Sequence, residues 1–284
     1  MLAHTLSSFA PSAHRIQREG FGFASALTTD QLRRVVPSAF ADDAHHSRSA
    51  RYSFIPTIAV IEGMRAEGFL PVKALQSRSQ EDKRGHAKHI IRFRREDQLS
   101  APEAREVILT NSHDGSSAYK LAAGVFRLIC SNGLVVGRED ISETVRHSGD
   151  VRGEIIEGAI RIVGQFDKVA EDIDAMKSAM LPAPLQLAFA NAAIAARFDQ
   201  DQKPVTPEQV LRPRRMDDRA DDAWTVFNRV QENVIRGGLQ GRTVDAHNRV
   251  QRRRTREVTG IDQNTALNRA LWTLATEVAK IAKQ

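Results

Sequence analysis

His113-Asp114, inside Asn111-Ser-His-Asp-Gly-Ser-Ser117, pairs an imidazole that takes a proton with a carboxylate that orients it. Hydrolase or nuclease chemistry through His113 and Asp114 is one reading of this stretch. Adjacent residues in a turn seldom point at each other, and Asp-Gly is first a turn dipeptide. The stronger expectation is therefore that Asn111, Ser112 and Ser116 bond backbone groups around a hairpin loop. A third reading has the loop's amides and hydroxyls holding a phosphate. Cys130 ends the run Val125-Phe-Arg-Leu-Ile129, a setting for a small buried side chain rather than an activated thiolate. Arg127 shares a face with Val125 and Ile129, so it must pair or reach solvent. His45, His46, His86, His89 and His113 are not interleaved with carboxylates at metal-ligand spacings, and no metal or other cofactor is expected. Glu81-Asp82-Lys83 reads as a charged loop, and no glycine-rich phosphate loop is present.

Charge gives a sharper signal than these motifs. The 284 residues carry 41 Lys and Arg against 35 Asp and Glu, a net +6. Residues 73 to 95 alone hold eight basic and two acidic residues, a local excess equal to that of the whole chain. A second basic run spans Arg242 to Arg256, with six arginines including Arg252-Arg253-Arg254 and one aspartate. Two like-signed clusters repel unless an anion neutralises them, so a polyanion partner is the economical explanation. Such contacts go to phosphates and are strongly salt-dependent.

Strands are expected over Val72 to Arg78, His86 to Arg95, Glu106 to Thr110 and Tyr119 to Val136, the last reversed at Asn132-Gly133. Period-2 geometry sends His89, Ile91 and Phe93 to one face of the second strand and Lys88, Ile90, Arg92 and Arg94 to the other. The second face is read as an exposed basic surface. Before the sheet, Ile58, Val60, Ile61 and Met64 mark a helix stopped near Gly68. After it, Ile155, Ala159, Ile162, Phe166, Val169, Ile173, Met176 and Met180 mark one long helix over 152–180, about 40 Å in length. Its apolar seam packs in the core or forms a homo-oligomer. Further helices are expected over Leu185 to Phe198, Ala223 to Arg236 and Asn264 to Lys280, with a linker over Asp199 to Arg215. The fold class is α+β: residues 1–200 form the sheet and long helix, and residues 201–284 a helical region with a basic arm.

Composition excludes several classes. With 41% hydrophobic and 27% charged residues the chain reads as globular, and 6% aromatic content argues against an extended base-stacking platform. A lone cysteine permits no internal disulfide and suggests a reducing cytoplasm. No apolar run approaches the about 20 residues of a membrane span, so no membrane partner is expected.

Four blocks together resemble a known family. Lys88-His-Ile-Ile-Arg-Phe-Arg94, Asn111-Ser-His-Asp-Gly-Ser116, Phe126-Arg-Leu-Ile-Cys-Ser-Asn-Gly133 and Trp224-Thr-Val-Phe-Asn-Arg-Val-Gln-Glu-Asn233 with Gly237-Gly238 are similar to the bacterial proteins catalogued as domain of unknown function 932. The resemblance implies carriage on phages or plasmids and a role near DNA transfer, replication or defence evasion. It implies no catalytic residues. The order of helix, antiparallel strands and long helix is also similar to the core of single-strand annealing proteins, a fold-level analogy. The resulting expectation is a non-enzymatic, sequence-independent binder of nucleic acid, single-stranded DNA above all. Its contacts would be Lys83, Arg84, Lys88, Arg92, Arg94 and Arg127 on the sheet, Asn111, Ser112, His113 and Ser116 at its border, and Arg252, Arg253, Arg254 and Arg256 on the arm. An inhibitor or decoy that binds a host defence protein is the alternative beside the hydrolase.

Overall fold

The computed structural model describes residues 25–46, 54–79, 85–101, 103–127, 133–135, 142–145, 150–198, 203–244 and 249–284. Strands β1 (Phe69–Gln76), β2 (His89–Arg95), β3 (Glu103–Asn111) and β4 (Tyr119–Arg127) lie antiparallel in sequence order. The short β5 (Gly133–Val135) and β6 (Ser142–Val145) both pair with β4. Register explains which face is core. Ala74, Ile91, Leu109 and Leu121 stand side by side across four strands and are all buried. Such rows of cross-strand neighbours are what stabilise a sheet face. Helices α1 (Thr29–Val35), α2 (Thr57–Ala66) and α3 (Val151–Val163) bury their apolar sides in the core that includes this face. Gly68 sits two residues past α2 at φ +78, and the chain turns there directly into β1.

The expected long helix is two. α3 ends at Gly164, and α4 (Phe166–Lys177) begins after Gln165. Glycine is among the weakest helix formers, by about 1 kcal/mol relative to alanine. The two halves also serve different surfaces: α3 packs on β4 and β6, and α4 on α7 (Ala223–Arg236) and α8 (Ile261–Ile281). Ile155, Ala159, Ile162, Phe166, Val169, Ile173 and Met176 are all buried within this one chain. The seam therefore forms part of the chain's own core. Met180 differs, being 63% exposed beside its bridge to Asp222.

Helix α7 is buried along its whole length from Ala223 to Ile235, polar residues included. Trp224, Phe227 and Trp272 pack with ring centroids 5.7–6.2 Å apart. On its polar side Glu232 accepts from Arg215 at 2.5 Å and Arg236 at 3.0 Å, and Gln231 donates to Asn268. Asn233 donates to the carbonyls of Val210 and Arg212. These bonds tie down residues 203–215, expected as a linker. That stretch holds α6 (Pro207–Leu211), which packs on both α7 and α5 (Ala183–Arg197). One cluster of buried side chains runs from Leu32 to Ala279. Among the described residues no helix is long and apolar enough to cross a membrane.

Candidate nucleic-acid interface

The second sheet face is not the open basic surface expected of it. Arg92 is 5% exposed, Arg94 2% and Glu106 1%. Glu106 stands on β3 between the two guanidiniums: its Oε2 takes Arg92 Nε and its Oε1 takes Arg94 Nε at 2.7 Å. An isolated buried charge is costly, and a shared carboxylate offsets two of them at once. The start of α8 packs on the same face. Ile261 contacts the small cluster of Ile90, Ile108 and Ala122, and Asp262 accepts from Lys88 at 2.7 Å. Lys73, opposite Arg92 in the register, has its pKa lowered to about 8 by burial and then by Arg92. Arg92 and Arg94 thus hold the sheet together, and Lys88 is engaged by α8. Lys83 and Arg84 lie outside the described residues, as does the side chain of Arg127.

The loop after β3 turns inward as well. Thr57 Oγ1 lies 3.0 Å from both His113 Nε2 and His89 Nε2, 3.2 Å from Asn111 Nδ2 and 3.3 Å from the Tyr119 hydroxyl. His89 Nδ1 meets Ser38 Oγ at 2.8 Å. Asn111, Ser112, His113 and His89 are fully buried, so they border no surface groove. Burial pushes the His89 pKa down to about 4. Asp114 Oδ1 accepts from the Ser116 amide at 2.9 Å, and Ser112 Oγ accepts from the Ser117 amide at 2.8 Å. Of the three residues expected to bond backbone groups, Ser112 does so at Ser117, whereas Asn111 Nδ2 reaches Thr57 Oγ1 and Ser116 Oγ donates to Ser112 Oγ at 3.1 Å. His45, with ring centroids 4.0 Å from His46 and 5.3 Å from His86, extends this histidine-rich end of the sheet. Among the described residues no three potential ligands are placed to hold a metal.

The exposed arginines are elsewhere. β7 (Gln240–Val244) and β8 (Val250–Arg254) form a separate two-stranded antiparallel ribbon where a basic arm in a helical region was expected. Its register sets Arg242 directly against Arg252, and Arg254 against Gln240, so three arginines share one face. Arg242, Arg252, Arg253, Arg254 and Arg256 are all exposed, and among the described residues none has a carboxylate partner. Elsewhere Arg105, Arg161, Arg215, Arg229 and Arg236 each have one within 4 Å, while the exposed Arg33, Arg34, Arg95, Arg152, Arg212 and Arg219 have none among the described residues; what sets the ribbon apart is that its arginines are clustered. Like charges directly opposite in a ladder destabilise it, so the ribbon carries a standing demand for an anion.

The ribbon's base is firmly mounted. Gly237 has φ +63, and a Cβ there would meet the Arg256 carbonyl group at 2.7 Å, so glycine alone suits this crossing. Gly238 N donates to Thr255 O at 2.8 Å, Thr255 N to Leu239 O at 2.9 Å, and Val258 N to Ile235 O at 2.8 Å. Arg214 Nη2 donates to Gly237 O at 2.5 Å while its Nε holds Asn233 of α7. On the second face Gly241 lies against Pro204, whose carbonyl accepts from Arg242 N at 2.8 Å. That leaves the Arg242, Arg252 and Arg254 face open.

The model of the family described as "Domain of unknown function (DUF932)" matches residues 44–272, most of the chain. The chain belongs to the DUF932 family. It is 48% identical over 250 residues to each of two Escherichia coli K12 proteins, UPF0380 protein YafZ and UPF0380 protein YfjQ, covering 88% of this chain and 90% of each relative. No solved structure matches it. In this DUF932 chain the blocks that carry the resemblance are mostly interior. His89–Arg94 lies in β2, Asn111, Ser112 and His113 are buried at the start of the loop whose Gly115 and Ser116 are exposed, and Trp224–Asn233 lies in the encased helix α7, whose Gly237-Gly238 continuation mounts the ribbon. Sequence reasoning found Arg252, Arg253, Arg254 and Arg256 but left Arg242 out of the site; only strand pairing brings it beside Arg252. It also missed Arg197, whose Nη2 reaches the Arg256 carbonyl at 3.4 Å. Nothing in the sequence links residues so far apart.

Proposed function

We propose that this protein binds nucleic acid through the phosphate backbone, with the open face of the β7–β8 ribbon as the principal contact. The observation that carries the reading is the set of five exposed arginines without carboxylate partners, two of them forced side by side by the register. Arginine suits this role because its planar fork matches phosphate oxygens and stays charged at every relevant pH. The ribbon residues 240–254 include no Phe, Tyr or Trp, so base stacking contributes little there and the contacts favour no base over another. Binding is sequence-independent, set by charge, and non-enzymatic. A reducing cytoplasm, where the single Cys130 stays a thiol, is the fitting compartment.

Anisotropy of labelled single-stranded and duplex oligonucleotides, titrated with the full chain across a salt series, tests the reading. The expected result is affinity that falls steeply with salt and a slope that shrinks when Arg252, Arg253 and Arg254 become alanine. No binding at low salt, or a slope indifferent to the ribbon arginines, overturns it.

A further inference from the structure

A groove opens between α5 and α8, beside the base of the ribbon. Ala196, Ala266, Leu267 and Ala270 form its walls, and Arg197 and Gln263 its polar margin. Its volume is about 280 Å³. Clefts that take drug-sized ligands run to about 300–1,000 Å³, so this one suits a single ring system. Alanines make the space, since each side chain stops at Cβ. Arg197 connects the groove to the ribbon through its bond to the Arg256 carbonyl. Its Nε is buried without an acceptor, it has no carboxylate partner among the described residues, and desolvation holds its pKa below the usual arginine value. Gln263 is exposed and makes no side-chain hydrogen bond among the described residues, leaving one donor group and one acceptor available.

We propose that this groove takes one base of a bound single strand, with the adjoining phosphate on Arg197 and Arg256. The inference rests on the nucleic-acid reading above and adds strand selectivity to it. A duplex base has both flat faces covered by its neighbours and must be unstacked before it can enter; an unpaired base turns out readily. Apolar walls accept the face of any base, which keeps the site indifferent to sequence. Charge complementarity favours this occupant: the margin holds the Arg197 guanidinium, whose Nε has no acceptor and whose Nη2 reaches the backbone of Arg256, an exposed arginine two residues from Arg254 of the ribbon.

The test uses the full chain and a single strand carrying one 2-aminopurine, whose fluorescence reports unstacking of that base. The expected result is a rise in fluorescence on saturation, together with tighter binding of single strands than of duplex. Ala266→Leu and Ala270→Leu fill the groove and should each weaken single-strand binding about tenfold, with duplex binding unchanged. Leucine is a good helix former, so circular dichroism should show these variants folded. Arg197→Gln should weaken single-strand binding in the same direction. Strong salt-sensitive binding with no fluorescence change, or equal affinity for both strand forms, overturns the groove while leaving the ribbon standing. No binding of either form at low salt overturns both. The 2-aminopurine measurement needs no variant and decides the question even if a substitution unfolds the chain.

Discussion

Strand β2 and strand β7 each set arginines toward a neighbouring strand, and the neighbours answer differently. β3 brings Glu106 between Arg92 and Arg94, and the start of α8 packs over the same face. β8 brings Arg252 against Arg242, and that face stays open. The first cluster holds more basic residues in all, eight against six, yet its two inward-facing arginines are the ones already answered by a carboxylate. Charge counted along a chain does not measure charge presented to a partner, because strand pairing chooses the counter-ion. Glu106 stands 14 residues from Arg92 in sequence and within bonding distance in space.

The comparison is tested most severely at Glu106. Glu106→Gln strips the carboxylate from two buried guanidiniums and should cost about 3–5 kcal/mol in urea unfolding. A midpoint close to that of the parent chain would mean that the arginines are not held by Glu106. Acid tests the same contrast by another route. His89 titrates near pH 4 when folded and near its ordinary 6.5 when unfolded, so between those values the unfolded chain binds a proton that the native chain refuses. Its effect is absent above about pH 6.5, grows as pH falls toward 4 and levels below, for a total loss of roughly 3 kcal/mol. Unfolding followed from pH 7 to pH 4 should show that slope, and His89→Gln should flatten it.

Removing Arg252, Arg253 and Arg254 together should change stability by no more than about 0.5 kcal/mol, since all three are exposed. The salt slope of single-strand binding should fall by about 2, at roughly 0.7 for each phosphate that is no longer neutralised. A large loss of stability with an unchanged slope reverses the roles of the two clusters. The finest test is Arg242→Glu, which turns the like-charged pair with Arg252 into an attractive one. It should raise stability by about 0.2–1 kcal/mol by thermal melt while lowering affinity for DNA.

Much of the fold was legible because alternation and helical spacing are local. The strands around Ile91 and Leu109, the helix ending before Gly68 and the Trp224 to Arg236 helix all follow from nearest-neighbour pattern. Alternation told which side Arg92 faces but not how deep that side lies. The break at Gly164 escaped because an uninterrupted apolar seam fits one long helix as well as two that pack on different surfaces. At the site, the Arg252 run was legible as charge. Its placement beside Arg242, its glycine mount and its proximity to Arg197 depend on pairing between distant segments, which no local window contains.

The Gly237-Gly238 mount has an engineering consequence. Gly238 and Leu239 bond Thr255 across the ribbon's own stem, and the ribbon meets the body through Arg242 N on the Pro204 carbonyl, Gln209 on the Gln240 carbonyl and, just beyond it, Val258 N on the Ile235 carbonyl; none of the described residues of 240–254 belongs to the buried core. It is therefore a socketed part. Exchanging residues 240–254 for another two-stranded insert of equal length, with glycine kept opposite Pro204, should leave the fold of the body intact, and a thermal melt close to that of the parent chain checks it.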